Sequence, residues 1–173
     1  ELLSAGTVTM TSSRSVTFNG SATIDTTGGN VTIPENLSTS YDFTKTGLNS
    51  LILSGGTTDS FSGDLNLNGG TFTPAASMTS GGGLTNGGGL LSPGTGTVTF
   101  TSTSAGNEMQ GNYTGATFYN VIFNGSGGDW TVDTNTLIIS NDLTMTAGTL
   151  KGNGDVTVNG SVVCGGTCGT IAM

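Results

Sequence analysis

Asp142-Leu-Thr-Met-Thr-Ala-Gly-Thr-Leu150 decides the fold, because an earlier copy stands at Asp64-Leu-Asn-Leu-Asn-Gly-Gly-Thr-Phe72. Aspartate opens both stretches, and Gly-Thr-apolar closes both. Between them, apolar residues fall two apart, at Leu65 and Leu67 and at Leu143 and Met145. That period of two belongs to a β-strand with one face buried. A second pair of markers, Gly6-Thr-Val-Thr-Met10 and Gly96-Thr-Val-Thr-Phe100, opens each half of the chain. Residues 1–173 therefore read as one domain made of two diverged copies, approximately 6–90 and 96–173.

Short alternating runs fill the rest. Val8 and Met10 face one side and the threonines the other, and Val16-Thr-Phe18 repeats the pattern before the turn pair Asn19-Gly20. Ala22 and Ile24, Val31-Thr-Ile33, Leu51-Ile-Leu53, Phe118 to Phe123, Leu137-Ile-Ile139 and Val156-Thr-Val158 continue it. Tyr41 and Phe43 are the expected anchors of the less regular residues 35–49. Residues 74–96 carry two glycine triplets, Pro74 and Pro93. A linker would account for them, as would rungs so tight that only glycine fits, and Leu84, Leu90 and Leu91 favour the rungs. Apolar-x-apolar, then Asn or Ser, then Gly, recurs at Val16, Leu51, Leu65, Val121 and Val156. No stretch has the apolar spacing of an amphipathic helix, and the strong helix formers are scarce.

Composition narrows the choice. Only 33% of the residues are hydrophobic and 8% charged, while Gly, Thr, Ser and Asn supply more than half. A chain so polar stays ordered only through dense backbone hydrogen bonding around a narrow core. Many short strands admit a β-sandwich. Repetition and Thr, Asn and Gly enrichment favour a right-handed parallel β-helix, a β-solenoid whose coils stack about 4.8 Å apart. At an assumed ~20 residues per coil, the chain makes about eight coils and is ~40 Å long. Val8, Phe18, Leu53, Leu65, Phe123, Leu143 and Val156 are the expected core and stacking residues.

The chemistry this sequence can support is limited. It has no histidine, so no imidazole base or Ser-His-Asp triad can be assembled. The nearest acid pairs, Asp59/Asp64 and Asp129/Asp133, read as turn or strand-start residues, so no catalytic residue, cofactor or metal site is expected. Gly152-Asn-Gly-Asp155 resembles part of a calcium-binding nonapeptide but has no tandem copy. Gly-Lys-Ser/Thr, which a phosphate loop needs, does not occur. Cys164 and Cys168 are too few for zinc without histidine; a local disulfide, free thiols and intersubunit thiols all fit them. The net charge of −8, with only Arg14, Lys45 and Lys151 as cations, argues against nucleic acid. No run approaches the ~20 apolar residues of a membrane span, and the opening at Glu1 fits a processed mature protein or a piece of a longer one. Thr7-x-Thr9, Thr71-x-Thr73, Thr97-x-Thr99 and Thr144-x-Thr146 are pairs of the kind that can order water or bind ice when stacked. They are equally ordinary strand surface. Trp130, Tyr113 and Tyr119 are the aromatic candidates for glycan contact. Asn19, Asn30, Asn36, Asn112, Asn124 and Asn159 stand in glycosylation acceptor patterns that chance alone would produce here.

Gly96 to Phe100, Thr117 to Val121 and Leu137 to Leu150 resemble repeats of large bacterial surface proteins, the adhesin-like, autotransporter-passenger-like and filamentous-haemagglutinin-like β-solenoids. The likeness covers most of 96–163 and, more weakly, 6–73. It implies an extracellular, cell-surface location. Strand-like patterning runs from Val8 to Val163, with no charged or helical segment at either end. The expectation is a non-enzymatic structural subunit stacking head to tail into a surface filament or matrix fibre. A stalk segment of a large adhesin and an ice- or glycan-binding module are the alternatives.

Overall fold

The computed structural model describes residues 2–3, 6–10, 16–111, 118–133 and 136–173. Among them every regular element is a β-strand and every pairing is parallel. The strands wind into a β-solenoid of about seven turns, one fewer than the eight expected. A sandwich of antiparallel hairpins is thereby excluded.

Each coil contributes a strand to three faces. Ala22–Asp25, Phe43–Thr46, Leu65–Leu67, Leu84–Asn86 and Asn107–Gly111 stack on the first face. Val8–Thr9, Val31–Ile33, Ser50–Leu53, Thr71–Thr73 and Leu90–Leu91 stack on the second. Val16–Phe18, Leu37–Thr39, Thr58–Phe61, Ser77–Ser80 and Thr97–Phe100 stack on the third. Two longer strands, Asn120–Val132 and Leu143–Gly152, run around the corner from the third face to the first and join both into one sheet. Three short strands within residues 74–96, Ser77–Ser80, Leu84–Asn86 and Leu90–Leu91, stand in register with their neighbours, so the glycine-rich part is rungs and not a linker.

The alternation read from the sequence sets which residues point inward. Phe43, Leu65, Leu84 and Met109 stand one above the next on the first face. Val31, Leu51, Phe72 and Leu91 do so on the second, and Met78, Val98, Val121 and Leu143 on the third. All are buried. Two aromatic clusters join the faces. Phe43, Phe61 and Phe72, one from each face, pack with ring centres 5.0–5.9 Å apart. Higher up, Phe100 and Phe123 from the third face and Trp130 from the first pack with ring centres 4.9–6.3 Å apart. Aromatic area compensates for the small number of hydrophobic residues.

Of the expected core residues, Leu53, Leu65, Phe123 and Leu143 are buried, and Phe18 and Val156 are half-buried against the core. Val8 is not a core residue: it is 38% exposed. Val31 covers it on one side, and no described coil covers the other.

The aspartates that open the two markers have a common structural reason. Asp64 Oδ1 accepts the Gly83 N–H at 2.7 Å, and Asp142 Oδ1 accepts the Ser161 N–H at 2.9 Å. In each case a corner carboxylate captures a main-chain N–H of the next coil. Asp42 serves Asp64, and Asn30 serves Ser50, in the same way. The copies nevertheless lie on different faces. Leu65–Leu67 belongs to the first face, whereas Leu143 to Met145 continue the third. Val8–Thr9 belongs to the second face and Thr97–Phe100 to the third.

Candidate functional site

Among the described residues, two ionisable side chains lie inside the solenoid. Lys45 stands in the inward column between Ile24 and Leu67 and is fully buried. Its ammonium donates to Thr26 Oγ1 at 2.9 Å and to the carbonyls of Thr46 (2.9 Å), Gly47 (2.8 Å) and Gly69 (2.8 Å). These oxygens come from three successive coils at one corner. Burial pulls the Lys45 pKa down to about 8, and the charge of Asp25 only partly opposes this. Asp59 is the second. Its Oδ1 accepts the Leu37 N–H at 2.8 Å, and its Oδ2 accepts the Ala75 N–H at 2.6 Å. Burial raises its pKa, and the two N–H donors oppose the rise. Lys45 ties the Thr26 hydroxyl and three corner carbonyls together, and Asp59 ties two main-chain N–H groups of neighbouring coils, so both serve as internal clamps.

The acid pairs read from the sequence do not form sites. Asp59 is buried in the core while Asp64 sits on a corner with its carboxylate on Gly83. Asp129 accepts the Gly106 N–H at 2.8 Å and is bridged by Lys151 at 3.0 Å; these contacts hold its carboxyl below the usual range. Among the described residues, no three His, Cys, Asp or Glu side chains come together as a metal cluster would need. Nor, among the described residues, is any helix long and apolar enough to cross a membrane.

The outer surface is more distinctive. On the third face, outward residues stand in register over three coils. Thr58, Ser77 and Thr97 form one column, and Ser60, Thr79 and Thr99 the next. The ladder continues through Gly81 N–H to Phe61 and Thr101 N–H to Ser80, which places Ser62, Gly81 and Thr101 in a third column. Of the four Thr-x-Thr pairs singled out in the sequence, only Thr97/Thr99 belongs to this grid. Thr9 and the pair Thr71/Thr73 lie on the second face, and Thr144 stacks on Ile122. Mixed Ser and Thr pairs complete the array, which a search for Thr-x-Thr alone misses.

The aromatic candidates change as well. Trp130 is fully buried and donates its Nε1–H to the Gly82 carbonyl at 3.2 Å, so it cannot meet a glycan. Tyr119 is half-buried, and Tyr113 lies outside the described residues. Tyr41, expected to be a core anchor, is instead 50% exposed, while Phe43 is fully buried. Tyr41 occupies the corner beyond the third face, where no inward position exists.

The last coil is open. Val162 is 59% exposed, and Val163, Ile171 and Met173 are also exposed. Register places Val162 on Leu143, Cys164 on Met145 and Ile171 on Leu150, so all three prolong buried columns. Cys164 and Cys168 are joined by a disulfide with Cα atoms 5.0 Å apart, which closes the turn between the two edge strands Val162–Cys164 and Thr170–Ala172. Comparison with protein-family models, with curated proteins and with solved structures finds no match.

Proposed function

We propose that this chain is a non-enzymatic structural subunit, stacking head to tail into a filament at the cell surface. The observation that carries the reading is the match between its first and last coils. The last coil presents Val156/Val158, Val162/Cys164 and Ile171 as continuations of the inward columns. The first presents Val8/Met10 on the second face and Val16/Phe18 on the third, again apolar, two apart and incompletely buried. Short strands with inward-phase apolar residues thus stand at both ends of the axis. Parallel pairing of a second copy would extend each ladder and each core column by one rung.

Physical chemistry supports the same reading. An open sheet edge templates further strand pairing. A contact between two different ends does not close on itself, so it propagates into a filament. Covering the exposed apolar area would contribute about 25 cal/mol per Å², and the added ladder bonds supply direction. The disulfide is compatible with an oxidising, extracellular compartment.

The test is light scattering behind size-exclusion chromatography over a hundredfold dilution, for wild type and for Val162→Asp. Val162 is already mostly exposed in the single chain, so the carboxylate is tolerated there and is buried only on stacking. Species larger than one chain in the wild type, and a monomer in the variant, are expected. A wild-type monomer at every concentration would refute the proposal.

A further inference from the structure

Two shallow clefts, of about 290 and 380 Å³, lie end to end along the edge of the third face. The first runs from Thr17 and Ser38 to Tyr41, and the second from Ser60 and Thr79 to Ser104. Ser38 stands directly beneath Ser60, and Thr39 beneath Phe61, so the two form one groove parallel to the solenoid axis.

Its lining selects a ligand class. No charged residue lines either cleft, and the chain carries a net charge of −8, so anionic ligands are disfavoured. The floor is hydroxyl, so an apolar ligand would leave polar groups unpaired. A hydroxyl both donates and accepts, which is also the property of a sugar hydroxyl. Thr101 already donates its proton to the Ser80 carbonyl at 3.3 Å, so its oxygen is turned into an acceptor. Thr79 is placed by Ser60 at 3.1 Å. The hydroxyls are therefore ordered on a rigid sheet before any ligand arrives, which lowers the entropy cost of binding. Tyr41 adds the missing element at one end of the groove. It is a half-exposed aromatic ring, a platform for the C–H face of a sugar ring with its own hydroxyl beside it. The positions stacked on the Tyr41 corner in the next two coils are Gly63 and Gly82, so no side chain stands in the path there.

We propose that this groove binds an uncharged polysaccharide laid along the axis, with one ring on Tyr41 and its hydroxyls on Ser60, Thr79 and Thr101. The site lies on the side of the solenoid and is independent of what covers its ends.

Affinity gel electrophoresis tests it, with the intact chain run through soluble β-glucan, xylan, galactomannan and α-mannan, and through alginate as an anionic control. Retardation by at least one neutral polymer is expected. Tyr41→Ala should weaken it about tenfold, the loss of one aromatic contact. Thr79→Val, which exchanges the hydroxyl for a methyl of the same shape, should weaken it severalfold. Both variants should keep the wild-type unfolding temperature, which separates a lost contact from a lost fold. The proposal is overturned by passage through all four neutral gels, by retardation in alginate alone, or by retardation that both variants retain in full. Thermal hysteresis without polysaccharide retardation would overturn it too, and would assign the hydroxyl grid to ordered water.

Discussion

Lys45 occupies an inward position that apolar residues fill in the coils on either side, Ile24 below and Leu67 above. A buried charge is tolerable only when it is fully hydrogen-bonded, and here three protons meet four oxygens. Lys45→Met keeps the volume but removes the ammonium donor from the Thr26 hydroxyl and from the Gly47 and Gly69 carbonyls, while the Thr46 carbonyl keeps the Thr26 N–H. A loss of about 2–4 kcal/mol is expected in urea unfolding. The pH dependence has a definite sign. The folded chain releases the Lys45 proton near 8, whereas the unfolded chain holds it to about 10.5. Between these values the unfolded state binds more protons, so wild-type stability relative to Lys45→Met should rise with pH. A difference that stays flat or falls from pH 7.5 to 10.5 would contradict the burial of this group. Asp59 runs the other way. Its raised pKa favours the fold as pH drops, so the advantage of wild type over Asp59→Asn should widen from pH 7 to pH 4. The amide cannot accept both N–H groups, and at neutral pH the variant should lose about 1–3 kcal/mol.

Strands and corners were unequally legible in the sequence. Apolar-x-apolar marks the strands well, because a period of two is all that a three-residue strand needs. It does not reveal which of three faces a strand joins; that depends on how many residues each corner consumes. Thus the markers at Asp64 and Asp142 look equivalent and lie on different faces, sharing a corner device and not a place in the fold. Inward polar residues were illegible for a similar reason. Lys45 and Asp59 stand two residues from Phe43 and Phe61, on the inward phase, yet a charged side chain reads as a surface residue, and only the corner carbonyls and N–H groups explain their burial. Tyr41 and Trp130 exchanged roles because exposure depends on register: Trp130 stands on the inward phase of a continuous strand, Tyr41 beyond the end of one. The corner device itself can be tested. Asp142→Asn keeps the oxygen that receives the Ser161 N–H and should leave stability within about 0.5 kcal/mol, whereas Asp142→Ala should cost about 1 kcal/mol. Gly148 is more demanding. Its φ is +88°, and a Cβ there would lie 2.8 Å from the Trp130 ring. Gly148→Ala should therefore destabilise by more than about 1 kcal/mol, read as a lowered unfolding midpoint.

For the whole molecule, a narrow core is sufficient because every inner coil is paired above and below. Backbone ladders on three faces hold a chain that is only 33% hydrophobic, with two aromatic clusters along the axis. The same architecture leaves apolar residues open at the first and last coils, at Val8 and at Val162 and Ile171. Axial stacking of copies is the central claim, and negative-stain electron microscopy of the purified chain across dilution tests it most directly. Uniform thin fibres that persist on dilution, and are absent from Val162→Asp, are the expected result. Compact, monodisperse particles at every concentration would contradict it.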